Sequence, residues 1–222
     1  MTGTVRVLLG DDHKIVREGL KMVLADDPSL QVVAEADTGP GVLAAVQTLQ
    51  GPQGIDVVLL DIAMPGMDGL DVLQNLRRDW PALPVLMLST YPEKQYAVRC
   101  IQLGAAGYLN KSTDTDALMG ALRRVSAGGM HVSPATAEAL ASLVSPGRTK
   151  SGIELLSHRE HQVYLLLTQG HTVSEIGAQL SLAPNTVSTY RARILEKTGT
   201  KNDVELALYA QSLSGAQGSP FG

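Results

Sequence analysis

The chain has 222 residues, 44% hydrophobic and 18% charged, with 22 Gly and 11 Pro, a globular composition long enough for two domains. No apolar run approaches the ~18 residues that span a bilayer, and the first apolar run meets Asp11-Asp12 too soon for a secretory signal, so the expected location is the cytoplasm, with no membrane partner. The single cysteine, Cys100, excludes an internal disulfide, and a net charge of −4 excludes a uniformly basic nucleic-acid binder.

In chain order, residues 5–9 read as a buried strand, and residues 15–24 carry helical spacing at Ile15, Gly19, Leu20, Val23 and Leu24. Four more strand candidates follow at 31–36, 57–60, 85–88 and 107–109, alternating with helical stretches near 40–50, 69–78, 93–103 and 114–127. Five strands alternating with five helices predict a doubly wound parallel sheet. The continuous apolar runs suit strands buried on both faces. Gly128-Gly129 ends the fifth helix, and Ser133-Pro134 opens a short one to about residue 144. Residues 145–152 (SPGRTKSG) form a polar, breaker-rich linker.

Beyond the linker the pattern is helical only. Ser157…Glu160, Thr172…Glu175 and Asn202…Glu205 each have capping-box spacing ahead of an apolar-periodic stretch. The expected organisation is therefore a first domain at 1–128, a linker with a short helix at 129–152, an all-helical domain at 153–213, and a Gly/Ser-rich disordered tail at 214–222.

In an open α/β sheet, ligands gather beyond the carboxyl ends of the strands. The residues there are Asp11 and Asp12 after the first strand, Asp61 after the third, Ser89 after the fourth and Lys111 after the fifth. Three carboxylates at one edge repel each other and call for a cation; an all-oxygen site with room for water suits Mg²⁺. Phosphorylating a carboxylate needs such a metal, with cationic and hydroxyl donors for the equatorial oxygens. Taken singly, paired acids after a strand are ordinary loop or cap residues; their joint occurrence in this order carries the signal.

The pieces LLGDD (8–12), VVLLDIAMPGMDGL (57–70), LMLST (86–90) and GAAGYLNKS (104–112) resemble the receiver domain of response regulators over residues 4–127, a flavodoxin-like (βα)5 fold. The resemblance implies that Asp61 is the phosphoacceptor and that Asp11, Asp12, Asp61 and the carbonyl of Ala63 hold Mg²⁺. It further implies that Ser89 and Tyr108 are switch residues and that Lys111 contacts the phosphoryl group. Ser112 stands where proline often follows the lysine, so the cis peptide common there is not expected. Haloacid-dehalogenase-like phosphatases, the alternative, place a second Asp where this chain has Ala63. With no acid-base partner there, rapid turnover is not expected. Ala63 and Tyr91 would flank the phosphoryl group, Tyr91 shielding it, so its spontaneous loss should be slow.

The pieces LSHREHQV (156–163), EIGAQLSLAPNTVSTYRARILEKTGTKN (175–202) and VELALYA (204–210) resemble the LuxR-type helix-turn-helix, a four-helix DNA-binding domain. With the receiver, this places the chain in the NarL/FixJ class, and the two resemblances span about four-fifths of the sequence. Residues 151–222 carry five basic and six acidic side chains, yet 186–201 carry four basic and one acidic. Positive charge is thus focused on one helix. Residues 175–180 and 185–197 are helices joined by Ser181-Leu182-Ala183, as in a helix-turn-helix. Val187, Tyr190, Ile194 and Thr198 form the inner stripe, while Asn185, Ser188, Thr189, Ala192 and Glu196 face the major groove. Arg191 and Arg193 flank it, and Thr186 and Lys201 are further phosphate contacts.

Ser188 and Ala192 replace the basic residues frequent in the family, which disfavours bidentate guanine readout. Ala183 replaces the usual Ser or Thr cap, a loss of ~1 kcal/mol. The last helix, 204–212, exposes an apolar series (Val204, Leu206, Leu208, Ala210, Leu213) wider than one packing face needs, and the resemblance implies a cognate sensor histidine kinase, promoter DNA, and a homodimer on DNA paired through that helix. Phosphorylation should draw in Ser89 and Lys111 and turn Tyr108 inward. A phosphate-independent regulator of the same fold, or a helical docking module at the C-terminus, remain alternatives.

Overall fold

Five short apolar runs become the parallel strands β1 (Val5–Gly10), β2 (Leu30–Ala36), β3 (Val57–Asp61), β4 (Val85–Ser89) and β5 (Gly107–Asn110), in the sheet order β2-β1-β3-β4-β5. The computed structural model describes residues 3–65, 67–91, 93–143, 152–180 and 182–215. The chain divides into two compact units, 1–145 and 146–222.

In the first unit the strands alternate with α1 (Lys14–Ala25), α2 (Gly39–Thr48), α3 (Gly69–Asp79), α4 (Glu93–Gln102) and α5 (Thr115–Ser126). Side chains alternate across a strand, so each apolar run feeds two cores. Leu8, Val58, Leu60, Val85 and Met87 pack with Val42 of α2, Leu73 of α3 and Tyr96 of α4. Val7, Leu9, Val57, Leu59, Leu86 and Leu88 pack with Leu24 of α1 and Leu118 and Leu122 of α5. Burial on both faces explains why these strands lack polar alternation. Side chains of Thr38, Asp68 and Asp114 cap α2, α3 and α5 by accepting backbone N–H bonds. The doubly wound reading and its element positions hold.

The segment after α5 belongs to this unit. His131 N–H donates to the Ala106 carbonyl at 2.9 Å, and His131 bridges Gly107 in parallel at the sheet edge. The short helix expected in the connecting segment is α6 (Pro134–Leu143), and it packs against α4. Thr136 Oγ1 donates to Glu93 Oε1 at 2.8 Å across that contact. Residues 145–151 of the expected linker and 216–222 of the expected tail lie outside the described residues, while Ser214 and Gly215 close the last helix.

The second unit begins with a 3-10 turn, Gly152–Leu155, followed by α7 (His158–Thr168), α8 (Val173–Leu180), α9 (Pro184–Thr198) and α10 (Asp203–Gly215). Leu156, Val163, Ile176, Val187, Ile194 and Leu206 form its core. The capping boxes at Ser157 and Thr172 are reciprocal. At the third, Asn202 Oδ1 accepts from Glu205 N–H, but the Glu205 carboxylate takes the N–H of Lys201. One expectation is corrected: Leu206 of the supposedly exposed series is fully buried and Ala210 packs on the core, leaving Val204 (71%) and Leu208 (60%) exposed. The core needs Leu206 to close α10 against α7 and α9. The Leu213 side chain lies outside the described residues. No helix among the described residues is long and apolar enough to cross a membrane.

Candidate acidic metal centre and nucleic-acid interface

The strand order reverses at β1, between β2 and β3, and the crevice beyond their carboxyl ends is where a doubly wound sheet collects ligands. β1 delivers Asp11 and Asp12 there, β3 delivers Asp61, β4 delivers Ser89 and β5 delivers Lys111. Asp11, Asp61 and Ser89 are buried. Lys111 N–H donates to the Ser89 carbonyl at 2.8 Å, extending the β4–β5 ladder and aiming the lysine side chain back over β3 and β1. Its ammonium lies 2.6 Å from Asp11 Oδ2 and 2.9 Å from Asp61 Oδ2.

Burial pushes the Asp61 carboxyl above its ordinary range, and repulsion from Asp11 adds to this; the Lys111 ammonium and the Ala63 N–H work in the opposite sense. Burial pulls the Lys111 ammonium down, but its bonds to Asp11 and Asp61 more than offset it, so the lysine stays charged. One ammonium against three carboxylates leaves the cluster negative. Ligand atoms of Asp11, Asp12, His13 and Asp61 lie within 4.8 Å of one another, close enough to share one cation, so the cluster could hold a metal ion.

His13 escaped the sequence reading. Its N–H donates to Asp11 Oδ1 at 2.9 Å and its Nδ1 lies 2.7 Å from Asp12 Oδ1; a histidine following two aspartates and preceding a helix was the available signal. Gly69 also escaped it, although a methyl there would sit 1.9 Å from the Asp61 carbonyl oxygen.

Ser89 and Tyr108 are joined through Tyr91. Tyr108 is already inside: its hydroxyl donates to the Tyr91 carbonyl at 2.6 Å, and burial raises its pKa. An inward turn of Tyr108 is therefore not a change open to this conformation. Ser89 Oγ accepts from Tyr91 N–H at 3.3 Å, and Asn110 Nδ2 donates to the Tyr91 carbonyl at 3.1 Å. The Tyr91 ring stacks on Tyr96, with centroids 4.5 Å apart, which turns it into the α4 core. No cis peptide occurs among the described residues.

In the second unit, α8 and α9 form the helix-turn-helix; Ser181 of its turn lies outside the described residues. Ala183 gives α9 no side-chain cap and Pro184 opens it, while Gly199 in the left-handed conformation (φ 70°) closes it. Val187 and Ile194 are buried and Tyr190 and Thr198 half-buried, so the inner stripe is as expected. Asn185, Ser188, Thr189, Ala192, Arg193 and Lys201 are exposed, and Thr186 is half-buried. Asn185, Thr186, Thr189, Tyr190 and Arg193 line one surface cleft. The basic residues have unequal fates. Lys197 Nζ donates to the buried Glu160 at 2.6 Å, Arg191 Nε is held by Asp203, and Arg193 makes no ion pair among the described residues.

Residues 7–123 match the response regulator receiver domain family, and residues 154–210 match the luxR family of bacterial regulatory proteins. Over 207 residues the chain is 40% identical to the response regulator GacA of Pseudomonas aeruginosa, covering 93% of this chain and 95% of that one. It is 36% identical over 203 residues to the response regulator UvrY of Escherichia coli K12, covering 91% of each. Among solved structures, the response regulator ChrA of a heme-sensing two-component system is similar at 33% identity and a TM-score of 0.52, over 96% of this chain and 98% of that one.

Proposed function

The chain belongs to the response regulators that join a receiver domain to a LuxR-type DNA-binding domain, and from that premise we propose that Asp61 is the residue whose phosphorylation controls DNA binding. It is a two-component transcriptional regulator. The observation that carries the Asp61 reading is the buried carboxylate beyond β3, 2.9 Å from the Lys111 ammonium and within reach of Asp11 and Asp12.

A cognate sensor histidine kinase, acting in the cytoplasm, presents a phosphohistidine. An Asp61 oxygen forms the new P–O bond as the N–P bond breaks, and the electron pair returns to the imidazole. Lys111 and Ser89 supply the cation and the hydroxyl that bond to the equatorial oxygens. Asp11, Asp12, Asp61 and the Ala63 carbonyl would hold Mg²⁺, which when bound offsets charge on those oxygens. The Ala63 side chain offers neither proton donor nor base, so the phosphoryl group is stored rather than turned over; this is a regulator and not a phosphatase.

Ser89 now bonds to Tyr91 N–H, and Tyr91 in turn holds Tyr108 and Asn110 through its carbonyl. A phosphoryl group that recruits the Ser89 hydroxyl releases the Tyr91 amide, and the β4–α4 turn shifts without any inward rotation of Tyr108. Coupling of this kind is worth about 1–3 kcal/mol, a population shift rather than a lock.

On DNA, Asn185, Ser188, Thr189 and Ala192 of α9 face the major groove, while Thr186, Arg191, Arg193 and Lys201 meet phosphates. Two copies pair through α10, where Val204 and Leu208 are exposed, on promoter DNA. The test is a gel shift on a duplex enriched from a random library by the wild-type chain, with and without acetyl phosphate and Mg²⁺, beside Asp61→Asn. Tighter binding by the phosphorylated wild type alone is the expected result. Equal binding by both proteins in all conditions overturns the proposal and favours a phosphate-independent regulator.

A further inference from the structure

One ion pair in the second unit joins the recognition-helix candidate to the helix that follows it. Arg191 projects from α9, and its Nε donates to both oxygens of Asp203, at 2.8 and 3.1 Å. Asp203 is the first residue of α10, twelve positions on. The α10 amino terminus is already served, since Asn202 Oδ1 accepts from Glu205 N–H and the Glu205 carboxylate accepts from Lys201 N–H. The pair is also open to water, with side chains 34% and 44% exposed, a setting in which ion pairs add little to folding stability. Elsewhere on α9, Lys197 is consumed by Glu160 and Arg193 stands in the surface cleft.

The geometry at Arg191 is one-sided. The carboxylate takes only Nε, and Nη1 and Nη2 have no protein partner among the described residues. A guanidinium is a rigid planar fork, so fixing Nε sets the plane in which the two remaining nitrogens can meet an anion.

We propose that Asp203 is a positioning residue for DNA recognition: it holds Arg191 so that the outer guanidinium nitrogens meet one DNA phosphate in one orientation. This rests on the reading that α9 enters the groove. Phosphate contacts carry no sequence information themselves, but they set the register in which base edges are read. With Ser188 and Ala192 in place of long basic side chains on the groove face, register matters more here. Asp203 also precedes Val204, so the same carboxylate links the recognition helix to the helix with the exposed apolar pair.

The experiment measures the affinity of the full chain for the enriched duplex and for a scrambled duplex, across a salt series. Asp203→Asn, nearly isosteric and leaving the Asn202–Glu205 cap intact, is expected to lower the ratio of the two affinities about tenfold, in the range of coupled neighbours. Its affinity for scrambled DNA should be unchanged or higher, because a negative charge near the backbone is gone. Arg191→Ala should lower the ratio similarly and reduce the salt slope by about one. The double variant should be no worse than Arg191→Ala alone, and Asp203→Glu, which keeps the carboxylate, should retain most of the ratio.

A wild-type ratio in Asp203→Asn, or losses that multiply in the double variant, overturns the proposal. Arg193→Ala separates this from failure of the underlying reading. If it weakens binding to both duplexes while Asp203→Asn changes nothing, only the positioning role fails. If it changes nothing, α9 is not the DNA-facing helix and both fail.

Discussion

Replacing Gly69 with alanine tests how tightly the strand that ends in Asp61 is seated. A methyl group there would lie 1.9 Å from the Asp61 carbonyl oxygen, 2.8 Å from its carbonyl carbon and 2.9 Å from Cα of Ile62. All three are backbone atoms, so no side chain can swing away. Gly69 N–H also donates to the Ile62 carbonyl at 2.8 Å, so the helix start cannot retreat without losing that bond. Cβ contacts essentially never fall below 3.0 Å, so the turn must open by about 1 Å.

Overpacking of this kind costs ~1–3 kcal/mol, against a gain of at most ~1 kcal/mol for alanine over glycine in a helix. The net is destabilising, at roughly 2–4 °C of melting temperature per kcal/mol. The functional effect is larger, because misplacing a reacting group by ~1 Å can cost ~100-fold in rate. The assay is phosphorylation of the full chain by acetyl phosphate, followed by intact mass, with melting of the first unit followed in parallel. Gly19→Ala is the control: nothing lies within 4 Å of a methyl there, so it should be neutral or slightly stabilising. Wild-type phosphorylation rate and melting temperature in Gly69→Ala would show the close approach to be of no consequence.

Three further outcomes are expected. Lys197→Met leaves the buried Glu160 carboxylate without its cation, held only by the Ser157 capping bond, and should cost the second unit ~1–3 kcal/mol in denaturant unfolding. In the wild type, burial raises the Glu160 pKa but the bonds from Lys197 and Ser157 outweigh it and leave the pKa lowered; that stabilisation is full above the ordinary carboxyl pKa and is lost as pH falls from there through the lowered folded value, so the variant should show a shallower acid branch. Burial pushes the Cys100 thiol up to about 12, so the folded chain should resist a disulfide reagent at about pH 8 and react once unfolded; stoichiometric labelling of the native chain would contradict this. Phosphate on Asp61 should be lost slowly from the isolated protein because Ala63 cannot orient water, and decay within seconds would refute it.

Much of the receiver unit was legible because strands buried on both faces leave long apolar runs, and the loops that follow them carry the acids. The second unit was legible from its capping spacings, where a side chain and a backbone amide three residues apart define a helix start. The inner stripe of α9 followed from helical period alone. Leu206 was misjudged because α10 is apolar on more than one side, and period cannot say which side meets the core. The partner of the Tyr108 hydroxyl was not legible, because it is a carbonyl seventeen residues away.

What the sequence determined by itself was the kind of each element and the strand end from which each acid, hydroxyl and lysine emerges, since both depend on residues near in the chain. Only the tertiary structure decided which of them touch. Lys111 meets Asp61 across fifty positions because the parallel register sets β3, β4 and β5 side by side. A side chain at Gly69 would meet the backbone because α3 returns onto Asp61, and Arg191 is held because α10 starts beside α9. These are distances between segments set by packing, and no local pattern of side chains encodes them.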